Sequence, residues 1–234
     1  MYQTYDFAEI KDVIMGPNPV KLLKELLAAH PVQPGVTLLD LGCGMGVTSV
    51  YLAKECGARV VAADLWISPT DNLRRFEAES LTSAQIIPIH AEAHALPFAQ
   101  GFFDGVVCID AYHYFGLDEA YLAAHLLPHV KRGGYLLIAV PGTRTDISKD
   151  IPPEMLLSWT AKDLETIRDM AHWRRILGAC PAAEIRSMFE MTCSNEAWSD
   201  WLATDNPHAV GDRKAFEAGA GRHMNFIGMI LKRK

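Results

Sequence analysis

Between Val36 and Val140, short apolar runs alternate with longer amphipathic stretches. The runs Val36–Leu41, Arg59–Asp64, Gln85–His90, Gly105–Asp110 and Tyr135–Val140 predict five strands. They are apolar almost throughout rather than alternating, the pattern of strands covered on both faces. Pro88 has no N–H to give a ladder, which places the third run at a sheet edge. A helix is predicted over 47–55, with Gly57 as its C-terminal stop. Another is predicted over 19–30, where Val20, Leu23 and Leu27 share one face. The turn Lys131-Arg-Gly-Gly134 introduces the fifth strand. Strands separated by helices imply right-handed crossovers and a mostly parallel sheet.

After Pro141 the rhythm changes. Thr160-x-x-Asp163 has the form of a capping box, opening a helix on which Leu164, Ile167 and Ala171 align. Pro181 suits the first turn of a further helix, with Ile185, Met188 and Phe189 spaced i, i+3, i+4. Trp198, Trp201 and Leu202 repeat that spacing, and Met224–Leu231 reads as a closing strand. The expected fold is therefore α/β: a doubly wound, mostly parallel, seven-stranded sheet with a helical insertion before the last strand. One domain, 1–234, divides into an N-terminal cap helix (1–34), a core (35–140), a mainly helical insertion (141–222) and a closing strand (223–234).

Composition narrows the function. The chain has 234 residues, 50% apolar and 21% charged, which suits one domain. With 22 Lys and Arg against 28 Asp and Glu, the net charge of −6 leaves no broad basic footprint, so no nucleic-acid partner is expected. No apolar run approaches the ~18 residues that cross a bilayer, so no membrane partner is expected either. The acidic start lacks a basic segment before an apolar one, the pattern of a secretory signal. The five cysteines are odd in number, with no C-x-x-C, and read as reduced thiols of a cytoplasmic protein. His90-Ala-Glu-Ala-His94 is not a zincin motif and straddles a strand end, so no metal is expected.

The sharpest feature is Asp40-Leu-Gly42-Cys-Gly44-Met-Gly46, between a strand and a helix. Alternating glycines let backbone approach a ligand closely. Asp64 ends the next strand, 24 residues after Asp40. In a doubly wound sheet both lie at carboxyl ends of neighbouring strands, beside the switch point where ligands bind. A carboxylate there accepts ribose hydroxyls and repels a 2′-phosphate. The spacing G-x-G-x-G differs from the G-x-G-x-x-G of dinucleotide folds, which cradle a pyrophosphate.

Leu38–Gly46 resembles motif I of the class I S-adenosylmethionine-dependent methyltransferases, a Rossmann-like fold. Asp64 matches that family's acidic residue on strand two. Ala91-Glu-Ala-His-Ala-Leu-Pro-Phe98, Phe103–His113 and Val130–Ile138 resemble three further segments in the same order. The resemblance covers residues 35–140 and implies S-adenosyl-L-methionine as cofactor. It implies that Gly42 and Gly44, with Gly46 in the same loop, admit the methionine moiety, and that Asp40 orients the loop or the amino group. It places Asp64 on the ribose hydroxyls, Leu65 and Trp66 against the adenine, Glu92 and Ala93 at the adenine edge, and the carbonyl near Asp110 on the ammonium. Glu92 stands where the family usually has Asp, and Arg132 where it has Pro.

Methyl transfer needs a positioned acceptor lone pair, and a base only where the acceptor arrives protonated. His113 is the candidate base, and Tyr114, with Tyr112, the candidate acceptor contact. The insertion, rich in Trp159, His172, Trp173, Met188, Phe189, Trp198 and Trp201, is expected to cover the acceptor. Arg222 and His223 are expected to look into the cleft, and Met15–Pro19, joined by Tyr2 and Tyr5, to fold over the cofactor. The expected acceptor is a small molecule, its methylated atom (N, O or C) open, as is a homodimer. Two other readings remain: an NAD-dependent oxidoreductase, although no Tyr-x-x-x-Lys pair is present, and a non-catalytic cofactor-binding relative.

Overall fold

The structure, a computed structural model, describes residues 4–234. It begins with a single helical turn, α1 (Phe7–Ile10), and the helix α2 (Pro19–Ala29). There follow β1 (Thr37–Leu41), α3 (Val47–Lys54), β2 (Arg59–Asp64), α4 (Pro69–Ala78), β3 (Ile86–His90), β4 (Phe103–Ile109) and β5 (Val130–Thr143). The remainder comprises α5 (Ala161–Leu164), β6 (Arg168–Asp169), α6 (Met170–Gly178), β7 (Ala183–Glu190), α7 (Ser194–Leu202), α8 (Pro207–Glu217) and β8 (Met224–Arg233).

The sheet order is β3-β2-β1-β4-β5-β8-β7, with two-residue β6 pairing β5 off that path. β3, β2, β1, β4 and β5 run parallel, while β8 is antiparallel to both β5 and β7. This is the doubly wound sheet expected, with its switch point between β1 and β4. β3 is the edge strand, as Pro88 requires. One face of the sheet buries Leu22, Leu26, Val50, Phe76, Trp198 and Phe226. The other buries Leu39, Val106, Tyr112, Leu136, Trp173 and Met229. Covering on both faces explains the continuous apolar runs of the central strands.

Local chemistry sets the helix ends. The Asn18 side chain accepts from the N–H groups of Val20 and Lys21 at 3.0 and 3.3 Å, with Pro19 in the first turn. Gly57 adopts φ 63° where the chain leaves α3 for β2. The Thr160–Asp163 capping box forms, but its helix α5 closes after one turn. Asp169 then caps a separate helix, α6, by accepting from the His172 N–H at 2.9 Å. Ile167 and Ala171 therefore do not share a helix with Leu164.

The helix expected after Pro181 is a strand, β7, and the insertion thus carries an edge of the sheet. A bulge between Ile185 and Ser187 explains the misleading spacing. The extra residue shifts the alternation by one position. Ile185 and Met188 consequently pack on the same face of the sheet although they are three apart.

Candidate active site

The carboxyl ends of β1, β2 and β4 open onto a cavity of about 470 Å³. Its wall includes Gly42, Cys43 and Gly44 after β1, Asp64–Trp66 after β2, Ala91–His94 after β3, and Asp110, Ala111, Tyr114 and Phe115 after β4. Val13–Pro17 close it from the N-terminal side. The volume lies in the range of small-molecule sites.

The loop after β1 is held from two sides. Both the Gly42 and Cys43 N–H groups donate to the Ala63 carbonyl, at 2.8 and 3.1 Å. Gly44 donates its N–H to Asp64 Oδ2 at 2.8 Å, and its carbonyl accepts from Asn72 Nδ2 at 2.9 Å. A Cβ on Gly42 would lie 2.3 Å from the Ala111 side chain, and the residue holds φ 74°. Only glycine satisfies both conditions. Asp64 is buried, and its Oδ1 accepts from the Trp66 and Ile67 N–H groups at 2.8 and 2.9 Å. Its Oδ2 accepts one protein donor, leaving a lone pair for a hydroxyl in the cavity. Trp66 and Tyr114 stand at the mouth, 68% and 57% exposed, with ring centroids 5.4 Å apart.

Of the residues singled out from sequence, Gly42, Gly44, Asp64, Leu65, Trp66, Glu92, Ala93, Asp110 and Tyr114 meet around this cavity. Asp40, Gly46 and His113 lie outside its wall. Asp40 is 1% exposed, and its Oδ2 accepts the Thr48 and Ser49 hydroxyls of α3 at 2.7 and 2.6 Å. It fastens the helix start to the strand; burial pushes its carboxyl up to about 6. Gly46 has φ 83°, and a Cβ there would lie 2.4 Å from the Phe76 ring, so it is a packing glycine. His113 is 3% exposed with Nδ1 unpartnered, and burial pulls its imidazole down to about 3. A neutral ring turned into the core is badly placed to take a proton in the cavity.

The aromatic residues of the insertion build core instead of a lid. Trp173 is fully buried, 5.8 Å from Tyr112 between ring centroids. Trp198 packs at 4.5 Å on Phe216. None of Trp159, His172, Trp173, Met188, Phe189, Trp198 and Trp201 lines the cavity. Arg222 and His223 are also turned elsewhere: both pair with Glu154, His223 at 2.7 Å. Met15, Gly16, Pro17 and Pro19 do reach the cavity. Tyr5 packs against Tyr51 instead, at 4.9 Å, and Tyr2 lies outside the described residues.

Residues 38–134 match the model of a methyltransferase domain. Over 117 residues the chain is 39% identical to the 2-methyl-6-phytyl-1,4-hydroquinone methyltransferase of Synechocystis sp., covering 49% of this chain and 35% of that protein. Over 165 residues it is 30% identical to the ubiquinone biosynthesis O-methyltransferase of Erwinia tasmaniensis, covering 61% and 66%. The chain thus contains a methyltransferase domain over residues 38–134.

It spans between about a third and two thirds of the length of these relatives. Its fold matches the geranyl diphosphate C-methyltransferase of Streptomyces coelicolor, with a TM-score of 0.69 at 15% identity, over 91% of this chain and 76% of that one. Within the methyltransferase domain, Asn72 and His94 escaped the motif reading. Asn72 lies on α4 and acts on Gly44 only through the fold. His94 ties down Glu92, donating its N–H at 3.0 Å and placing Nδ1 2.7 Å from Oε1. The hydrogen bond with His94 holds the Glu92 carboxyl below the usual range. No helix among the described residues is long and apolar enough to cross a membrane.

Proposed function

We propose that the protein transfers a methyl group from S-adenosyl-L-methionine to a small-molecule acceptor. The observation that carries this is the convergence of Gly42, Gly44 and Asp64 on one cavity wall, with Asp64 already oriented by three backbone N–H groups. The donor set fits the cofactor. The wall presents Asp64, Glu92 and Asp110 and no Lys or Arg. That suits a ligand with a sulfonium, an ammonium and a ribose diol, and no phosphate. Bound S-adenosylmethionine supplies an electrophilic methyl group.

The protein's own residues then act by placement. Asp64 accepts the ribose hydroxyls, Leu65 and Trp66 flank the adenine, and Glu92 and Ala93 meet its edge. Gly42 and Gly44 leave room for the amino-acid portion, with the Asp110 carbonyl at its ammonium. Tyr114 contacts the acceptor. The strap Val13–Pro17 excludes water from the reacting side. Acidic overall charge and a cavity of about 470 Å³ favour a metabolite over nucleic acid as acceptor, in the cytoplasm.

Calorimetry tests the reading against a nicotinamide enzyme, whose nucleotide would also present a diol to Asp64. Micromolar binding of S-adenosylhomocysteine with no heat from NAD supports methyl transfer. NAD binding without S-adenosylhomocysteine binding overturns it. Turnover of methyl-labelled cofactor with an acceptor separates an enzyme from a non-catalytic relative.

A further inference from the structure

The turn that carries Glu92 to the cavity is held from behind by an element that does not reach the cavity. Ala91–His94 line the wall, whereas Tyr121 and His125 do not. Tyr121 precedes, and His125 belongs to, the π-helical turn Leu122–Leu126. Such turns are rare and often mark functional sites. Leu122 and Leu126 root this one in the core. The buried Tyr121 donates its hydroxyl to the Ala93 carbonyl at 3.2 Å. His125 Nδ1 lies 2.8 Å from the His94 carbonyl, an oxygen that only accepts, so this nitrogen carries the proton. The rings of His94, Tyr121 and His125 pack on one another, with centroids 5.0, 5.1 and 5.6 Å apart.

Two consecutive peptide planes transmit this grip. A trans peptide is rigid, and its C=O and N–H point from opposite edges. Tyr121 holds the carbonyl of the plane between Ala93 and His94. The N–H of that same plane donates to Glu92 Oε2 at 3.0 Å. His125 holds the carbonyl of the plane between His94 and Ala95. The N–H of that plane, on Ala95, donates to the Glu92 main-chain carbonyl at 3.0 Å. The His94 ring completes the arrangement, with Nδ1 2.7 Å from Glu92 Oε1. Neither plane can turn without breaking a hydrogen bond on each edge. At the start of the turn, Ala91 donates its N–H to the Asp64 carbonyl at 3.1 Å.

We infer that Tyr121 and His125 are positioning residues for the cofactor's base: acting through His94, they hold the Glu92 carboxylate still at the adenine edge and so make the site select a 6-amino purine over a 6-oxo purine. A carboxylate accepts from an exocyclic amine and repels an oxo group in the same place. The repulsion discriminates only where the carboxylate cannot swing aside. The Glu92 side chain is 45% exposed, so hydrogen bonds and not enclosure hold it there.

The inference rests on the proposed cofactor site, and calorimetric titrations with S-adenosylhomocysteine and S-inosylhomocysteine separate the two. If the wild type binds neither, the cofactor reading fails and takes this one with it. If it binds both equally, or prefers the inosyl ligand, the cofactor site stands and the base-selecting role falls. The expected preference for the adenosyl ligand is about tenfold or more, as for one hydrogen bond to a charged group. Tyr121→Phe removes only the hydroxyl, and His125→Phe keeps a ring beside Tyr121 without the donor. Each should cut the preference roughly threefold or more, chiefly by weakening the adenosyl ligand. His125→Asn returns an amide N–H near the place of Nδ1 and should restore the wild-type preference. A merely structural role would lower the melting temperature, or both affinities together, and leave their ratio alone. An unchanged ratio in Tyr121→Phe and His125→Phe overturns the inference, as does a ratio in His125→Asn no better than in His125→Phe. Tyr121 and His125 are tested separately, so loss of fold in one variant leaves the other to decide.

Discussion

Asp110 combines three costs at one position: positive φ, desolvation and a like-charged neighbour. Its carboxyl titrates at about 8 in the folded protein, above its unfolded value. The native state therefore holds the extra proton between those values, and stability falls as pH rises through that window. Asp110→Asn removes the effect. One pKa unit is worth about 1.4 kcal/mol, and a third of the full linkage shifts Tm by roughly 5 °C. Thermal melts should show variant and wild type matching near pH 4 and the variant ahead by about that amount at pH 8.5. Parallel curves across the range would contradict the assignment. His113 is the opposite case. His113→Ala should leave S-adenosylhomocysteine affinity within twofold and lower Tm by several degrees, as a core truncation does. The glycines and Asp64 were legible because backbone clearance and a strand-end carboxylate leave a spacing signature. His113 was misread because one residue along a tight turn separates the cavity from the core. Tyr114 faces outward and His113 inward, and no spacing rule records that.

Among the elements, α4 and the β1–α3 loop are joined where Phe76 fills the space left by Gly46. Gly46→Ala adds a Cβ 2.4 Å from that ring at φ 83°. Left-handed strain of about 1 kcal/mol plus overpacking of about 1–3 kcal/mol should destabilise the fold. Denaturant titration measures it, and Gly46→Ala in a Phe76→Leu background should cost less than in the wild type. Equal costs would show that backbone strain alone matters. The parallel strands were legible from apolar runs because both faces are covered. β7 was not, because its bulge converts a strand's alternation into helix-like spacing. The aromatic insertion was misassigned for a related reason: helical spacing of Trp198 and Trp201 shows that a face is buried, not what buries it. For Trp198, Phe216 and Phe226 do so, away from the cavity.

For the molecule as a whole, the strap Val13–Pro17 connects the cofactor side to the insertion. Asn18 caps α2, donates Nδ2 to Asp200 at 2.7 Å and its N–H to the Ala197 carbonyl at 3.0 Å. Asn18→Ala should cost about 1–2 kcal/mol of stability through the lost cap. It should also weaken S-adenosylhomocysteine severalfold, because the strap forms part of the cavity wall. Unchanged affinity beside lowered stability would confine Asn18 to helix capping. The parallel direction of the central strands and the pairing of β1 with β2 followed from the sequence, and with them the cavity's place at the switch point. The tethering of strap to α7 did not, because Asn18 and Asp200 lie 182 residues apart. The direct measurement is calorimetry of S-adenosylhomocysteine against wild type and Asp64→Asn. One-to-one binding at micromolar affinity, weakened about thirtyfold or more by loss of a charged acceptor for two hydroxyls, is predicted. Absence of binding to the wild type, or equal affinity in the variant, would contradict the account.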